Sequence, residues 1–119
     1  MIQFSREYSD LVAHPAFKPG DIVHHRRYGY RGVVVDLDEE CQASEEWHSA
    51  NQTQPNRRQA WYHVLVDGGT HTTYVAQQNL EQDSTQAPVY HPLVEYFFTQ
   101  YEDGHYTRND RPWGSIGLA

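Results

Sequence analysis

Residues 17–37, FKPGDIVHHRRYGYRGVVVDL, constrain the fold more than any other stretch. Lys18-Pro19-Gly20-Asp21 reads as a turn, because Pro19 pre-sets φ at the corner and Gly20 frees the backbone after it. Ile22 and Val23 begin a short strand. Residues 24–30 form a polar connection that contains a Gly, and residues 32–37 form a second strand rich in Val. A Gly inside a strand marks a bend or a close approach of backbones, so Gly32 stands where a strand of a small curved barrel needs one. Alternation puts Val33, Val35 and Leu37 on one side and Val34 and Asp36 on the other. The expectation is the entry hairpin of a small β-barrel.

A second hairpin is expected over residues 61–75. WYHVLVD alternates, with Tyr62, Val64 and Val66 on one face and Trp61, His63 and Leu65 on the other. Asp67-Gly68-Gly69 is a hairpin turn signal, since Gly accepts the positive φ that tight turns require. THTTYV returns antiparallel, which places His71 near Val66 and Tyr74 near His63. Between the hairpins, residues 38–60 are polar and without period. They read as a long loop with one helical turn around residues 44–48, pinned by Trp47, and loops of this length are functional or mobile. Residues 76–80 read as a short turn or 3₁₀ segment with Leu80 buried, and no obvious strand follows.

The flanks are read more coarsely. Residues 1–16 are an N-terminal arm or a short helix, with Tyr8, Leu11 and Val12 at helical spacing. Residues 81–90 look like a polar linker. A helix is expected over 91–103, with Pro92 at its first position. Its stripe would be Leu93, Phe97 and Tyr101, widened by Val94 and Phe98, and Asp103-Gly104 would end it. That stripe either packs on the barrel or docks on another subunit. A tail runs to residue 119.

At 119 residues the chain is expected to be one domain with tails. Nine Tyr, four Phe and three Trp give each core position a large area to bury. A barrel of about 60 residues is marginal by surface-to-volume scaling, so its flanks must pack on it or it self-associates. No run approaches the roughly 20 apolar residues of a membrane helix, and the N-terminus lacks a secretory pattern. Cys41 is the single cysteine, which excludes an internal disulfide and a Cys-based zinc site. A cytoplasmic protein is expected.

Net charge is −7, the wrong sign for a protein that coats nucleic acid. Local placement is uneven. His24, His25, Arg26, Arg27 and Arg31 crowd together, and a carboxylate-rich run follows from Asp36 to Glu46. Lys18 is the lone Lys, so anion contacts here would use the planar Arg fork. Eight His, if all protonated, would carry the formal charge to +1, which makes the electrostatics pH-sensitive.

Catalytic arrangements fail one by one. Cys41 lies among acidic residues that disfavour a thiolate. His24 and His25 are adjacent and point to opposite faces, and no H-x-H or H-E-x-x-H spacing occurs, so no metal site is expected. The carboxylates crowd onto a polar loop without an apolar pocket to separate their pKa values. What remains is a basic and aromatic rim: His24, His25, Arg26, Arg27, Tyr28, Tyr30 and Arg31, with Arg57 and Arg58 approaching from the long loop. Arg forks onto phosphates, and Tyr or His stacks on bases. The plainer alternative is that these Arg residues pair with the neighbouring carboxylates. The same rim would serve protein recognition.

Three blocks in order, PGDIV-H with YGYRGVVVD, WYHVLVD and HTTYVAQQNL, closely resemble the YccV-like family over residues 17–80. Its bacterial members are called heat shock protein HspQ or hemimethylated DNA-binding protein, and a related domain occurs in an F-box protein. The resemblance implies a mainly β fold, a small SH3-like β-barrel, and no known catalytic activity. It implies two roles: binding hemimethylated DNA, and helping the Lon protease choose its client proteins. The aromatic helix and tail exceed the short bacterial form and resemble the F-box relative. The expectation is therefore a non-enzymatic binding protein without cofactor or metal, made of an arm (1–16), a barrel (17–80, loop 38–60) and a C-terminal helix with polar tails (81–119). The alternative is a protein-recognition adaptor.

Overall fold

Seven strands organise the chain in the computed structural model, which describes residues 15–51 and 53–114. They are β1 (Ile22–His25), β2 (Arg31–Asp38), β3 (Trp61–Val66), β4 (Thr72–Ala76), β5 (Leu80–Gln82), β6 (Phe98–Glu102) and β7 (His105–Arg108). The first five form one antiparallel sheet in the order β4-β3-β2-β1-β5, and β6 pairs with β7 alone. Among the described residues no pairing joins β4 to β5, so the sheet expected to close into a barrel stays open, with β4 and β5 at its edges. Residues 1–14 of the expected N-terminal arm or helix lie outside the described residues. Among those described, no helix is long and apolar enough to cross a membrane.

Two cores explain why β2 reads as an unbroken apolar run. Val33, Val34 and Val35 are all fully buried, which requires cover on both faces of the strand. On the inner face Val23, Val34, Tyr62, Val64, Val75 and Leu80 come from all five strands of the sheet. On the outer face Ile22, Val33, Val35 and Leu65 meet Phe97, Phe98 and Tyr106 from the C-terminal segment. Leu37 packs on the inner core and not beside Val33 and Val35 as alternation predicts. The cause is a register shift between Val34 and Asp36, where an extra residue reverses the alternation that follows.

The C-terminal region departs most from expectation. The helix is a single turn, Val94–Phe97, and residues 98–108 continue as the β6–β7 hairpin in place of helix to residue 103. Asp103 and Gly104 both take positive φ, 52° and 77°, between the paired Glu102 and His105. That is the backbone of a two-residue hairpin turn, for which Asp-Gly is a favoured pair. The stripe that looks helical instead buries Phe97 and Phe98 in succession as the turn ends and the strand begins. Nor is 81–90 only a linker, since β5 opens it by pairing with β1.

Gly32 pairs with Val23 on one side and Val66 on the other. A Cβ there would run into the Leu65 carbonyl oxygen and come within 2.6 Å of Val64 Cγ1. Gly32→Val should therefore lower stability by about 3 kcal/mol, the upper end of overpacking costs, because backbone cannot move aside. Chemical denaturation reads the loss, and an unchanged midpoint would overturn the close-approach argument.

Candidate binding rim and adjoining groove

The β1–β2 connection is held as one rigid turn by His25. This side chain is only 3% exposed, and its Nδ1 accepts hydrogen bonds from the backbone N–H groups of Arg27 (3.1 Å) and Tyr28 (3.0 Å). Its ring stacks on Tyr28 and tilts against Tyr30. Gly29 takes a positive φ of 79° and donates to the His25 carbonyl, while Arg26 N–H donates to the Asn79 carbonyl. Burial, with the charges of His24 and Arg27, pushes the His25 pKa below 6.5. A neutral ring fits an Nδ1 that accepts two bonds. His25 therefore adds no charge to the rim near neutral pH.

The nine residues singled out from the sequence divide into exposed and engaged groups. Arg26 and His24 share Glu81, at 3.3 and 2.9 Å, and Arg26 Nε donates to the Leu80 carbonyl. Arg27 projects from the turn near the Tyr28 ring, and Tyr28 is 52% exposed. The Tyr30 hydroxyl bonds Thr73 Oγ1 at 2.8 Å. Arg31 is turned away from the rim: it meets Asp67 at 2.9 Å, Asp83 at 3.2 Å, and the carbonyls of Ala87 and Pro88. Arg57 folds into its own loop and donates to the carbonyls of Cys41, Ala43 and Ser44. Arg58 is exposed. The turn thus presents Arg26, Arg27 and Tyr28 together, while Arg31 and Arg57 are committed to the fold.

Beside this turn lies a groove of about 420 Å³ that no local sequence signal reveals. Its walls come from three separate places. His25, Tyr28 and Tyr30 form one side, Trp47, Asn51 and Thr53 of the long loop form another, and β4 forms the floor. The loop is seated by the helix Glu45–Ala50, whose N-cap Ser44 accepts from Trp47 N–H. Trp47 is 40% exposed and lies against Trp61 and Tyr74. Tyr74 donates to Asp38, and burial together with that bond raises its pKa well above the ordinary phenol value. His63, stacked on Tyr74, has its pKa lowered by burial despite Asp38 and Asp36 nearby. Among the described residues, no group of three His, Cys, Asp or Glu could hold a metal ion.

The described residues thus combine an open antiparallel sheet, a hydrogen-bonded polar turn and an adjoining aromatic-lined groove. Residues 15–105 match the family described as "Hemimethylated DNA-binding protein YccV like", and the chain belongs to that family. It is 33% identical over 93 residues to F-box only protein 21 of Homo sapiens and of Pongo abelii, and 32% identical to that of Mus musculus. These matches cover 76% of this chain but only 15% of each relative.

Proposed function

We propose that this chain is a non-enzymatic DNA-binding module that meets hemimethylated duplex with the 26–28 turn. Membership of a family described as hemimethylated-DNA-binding carries the reading, and the exposed Arg27 and Tyr28 on a rigid turn support it. Arg26 and Arg27 would fork onto phosphates, which fixes orientation without reading sequence. Methyl preference needs an apolar contact with a base methyl in a groove, and Tyr28 is the exposed ring at the tip of the turn. A second reading, recognition of proteins such as a protease or its clients, is favoured by the adjoining groove, whose lining carries no Asp, Glu, Lys or Arg.

Two phosphate contacts give a slope of log affinity against log salt of about −2. Arg26→Ala with Arg27→Ala should flatten that slope and weaken every duplex alike. Titration of hemimethylated, fully methylated and unmethylated duplexes at several salt concentrations tests both parts. Equal, weak binding to all three, unchanged in the double variant, would remove the DNA reading.

A further inference from the structure

β4 is an edge strand whose outward backbone is unpaired and faces the aromatic groove. In the β3–β4 ladder, Val66 N–H donates to the His71 carbonyl and Gln77 N–H to the Ala60 carbonyl. Hydrogen-bonded pairs alternate along an antiparallel ladder, so Thr73 opposite Val64 and Val75 opposite Tyr62 also face β3. Thr72 and Tyr74 consequently turn their N–H and C=O away from the sheet. Among the described residues none of these four groups has a hydrogen-bond partner. Side chains from both faces of β4, Thr73 and Tyr74, line the one groove, which therefore runs along the strand's open edge. Natural edges are blunted with Lys, Pro, bulges or inward charge. TTYVA has none of these, and no bulge interrupts its pairing with β3.

We propose that the groove takes an extended, uncharged peptide segment of a partner protein, which adds to β4 as a sixth strand. Its main chain would bond the outward groups of Thr72 and Tyr74. Every second side chain would seat an apolar or aromatic group against Tyr28 and Trp47. Two features select this occupant. A free ladder of donor and acceptor two residues apart matches the repeat of a strand's backbone and not that of a nucleic-acid backbone. The lining holds no Asp, Glu, Lys or Arg, so it offers no full positive charge to a row of phosphates and no counter-ion to repay burial of a charged side chain. The inference is independent of the DNA reading, which uses Arg26 and Arg27.

The test starts from phage-displayed random dodecamer peptides selected on the full chain. Recovered peptides should be uncharged in the middle and apolar at alternate positions, and should slow amide exchange of Thr72 and Tyr74. Thr72→Pro removes one outward N–H while leaving the β3 ladder its bonds, because the Thr72 N–H is not part of that ladder. It should weaken the peptides by roughly tenfold or more with the fold retained by circular dichroism. As a check on the unaltered protein, N-methylation of alternate peptide amides should abolish binding in one register and leave it in the other. Arg26→Ala with Arg27→Ala should leave peptide affinity unchanged, which separates this result from the DNA titration. The proposal is overturned if no peptide is recovered, or if recovered peptides are proline-rich and tolerate N-methylation in both registers. Self-pairing through β4 as concentration rises would assign the edge to a second copy. Protection of Thr72 and Tyr74 by duplex DNA in place of peptide would assign the groove to nucleic acid.

Discussion

Deleting residues 91–119 is expected to abolish the fold and not simply to trim a tail. The outer face of the sheet, with Ile22, Val33, Val35 and Leu65, is covered by Phe97, Phe98 and Tyr106. Losing one large aromatic from such a core costs about 3–5 kcal/mol, and the truncation removes three. It also strips polar partners. Gly20 C=O accepts from Tyr106 N–H, and the Tyr106 hydroxyl bonds Val89 N–H at 2.9 Å. Arg108 Nε bonds the carbonyl of Val35 at 2.7 Å, at the register shift in β2. The shift leaves that residue out of the pairing with β3, and Arg108, packed over the Phe97 ring, satisfies its carbonyl from outside the sheet. A small domain has about 5–15 kcal/mol in total, so the sum of these losses exceeds what is available. The truncated chain should lack a cooperative thermal transition and show an unfolded circular-dichroism spectrum. A soluble, cooperatively folding 1–90 fragment would show that the C-terminal segment is an accessory and that the sheet stands alone.

The strands that the sequence made legible are those whose signals are local. Pro19-Gly20, Asp67-Gly68-Gly69 and the alternation of WYHVLV each act within a few residues, and β1 to β4 follow from them. The helical turn after Ser44 was legible for the same reason. Leu37 departs from simple alternation because a bulge is a property of the pair of strands, and its signature lies on β3 as much as on β2. Residues 93–104 carry two consistent signals at once. Leu93, Phe97 and Tyr101 suit a helix, while Asp-Gly suits both a helix end and a hairpin turn. Burial of both Phe97 and Phe98 against the sheet decides between them, and that contact joins residues far apart in the chain. The rim was visible as composition, but not its partners: Asp67 and Asp83 lie 36 and 52 residues from Arg31. His25 counts by sequence as a charge carrier, yet its packing makes it the acceptor that shapes the turn. The groove depends on which strand ends at an edge, and topology alone supplies that.

Arg31 provides the sharpest contrast between a sequence role and a structural one. By sequence alone it belongs to the basic and aromatic rim. In the fold its guanidinium bridges Asp67 and Asp83 and reaches the carbonyls of Ala87 and Pro88, tying the β3–β4 turn to the segment that leads into the C-terminal cover. Asp67 extends the brace by accepting from Tyr90 N–H at 2.8 Å. Asp83 is 4% exposed. Burial by itself would raise its pKa, but the Thr85 hydroxyl, the Arg31 charge and the Gln86 N–H outweigh burial and hold it below 3.8. Arg31→Ala leaves that carboxylate buried without its counter-ion, a change that costs about 3–5 kcal/mol. The sign with pH follows from the lowered value. A carboxylate whose folded pKa lies below its unfolded one contributes fully above the unfolded value and loses that contribution as pH falls through the folded one. The gap between wild type and Arg31→Ala should accordingly be widest near neutral pH and narrow below about pH 4. Adding Asp83→Asn should recover part of the loss, since the second change removes the stranded charge, and the non-additivity measures their coupling. Urea denaturation of the four proteins at neutral and acid pH reads all of this. A loss under about 1 kcal/mol at pH 7, the size of an exposed ion pair, together with a flattened salt slope for DNA, would return Arg31 to the rim.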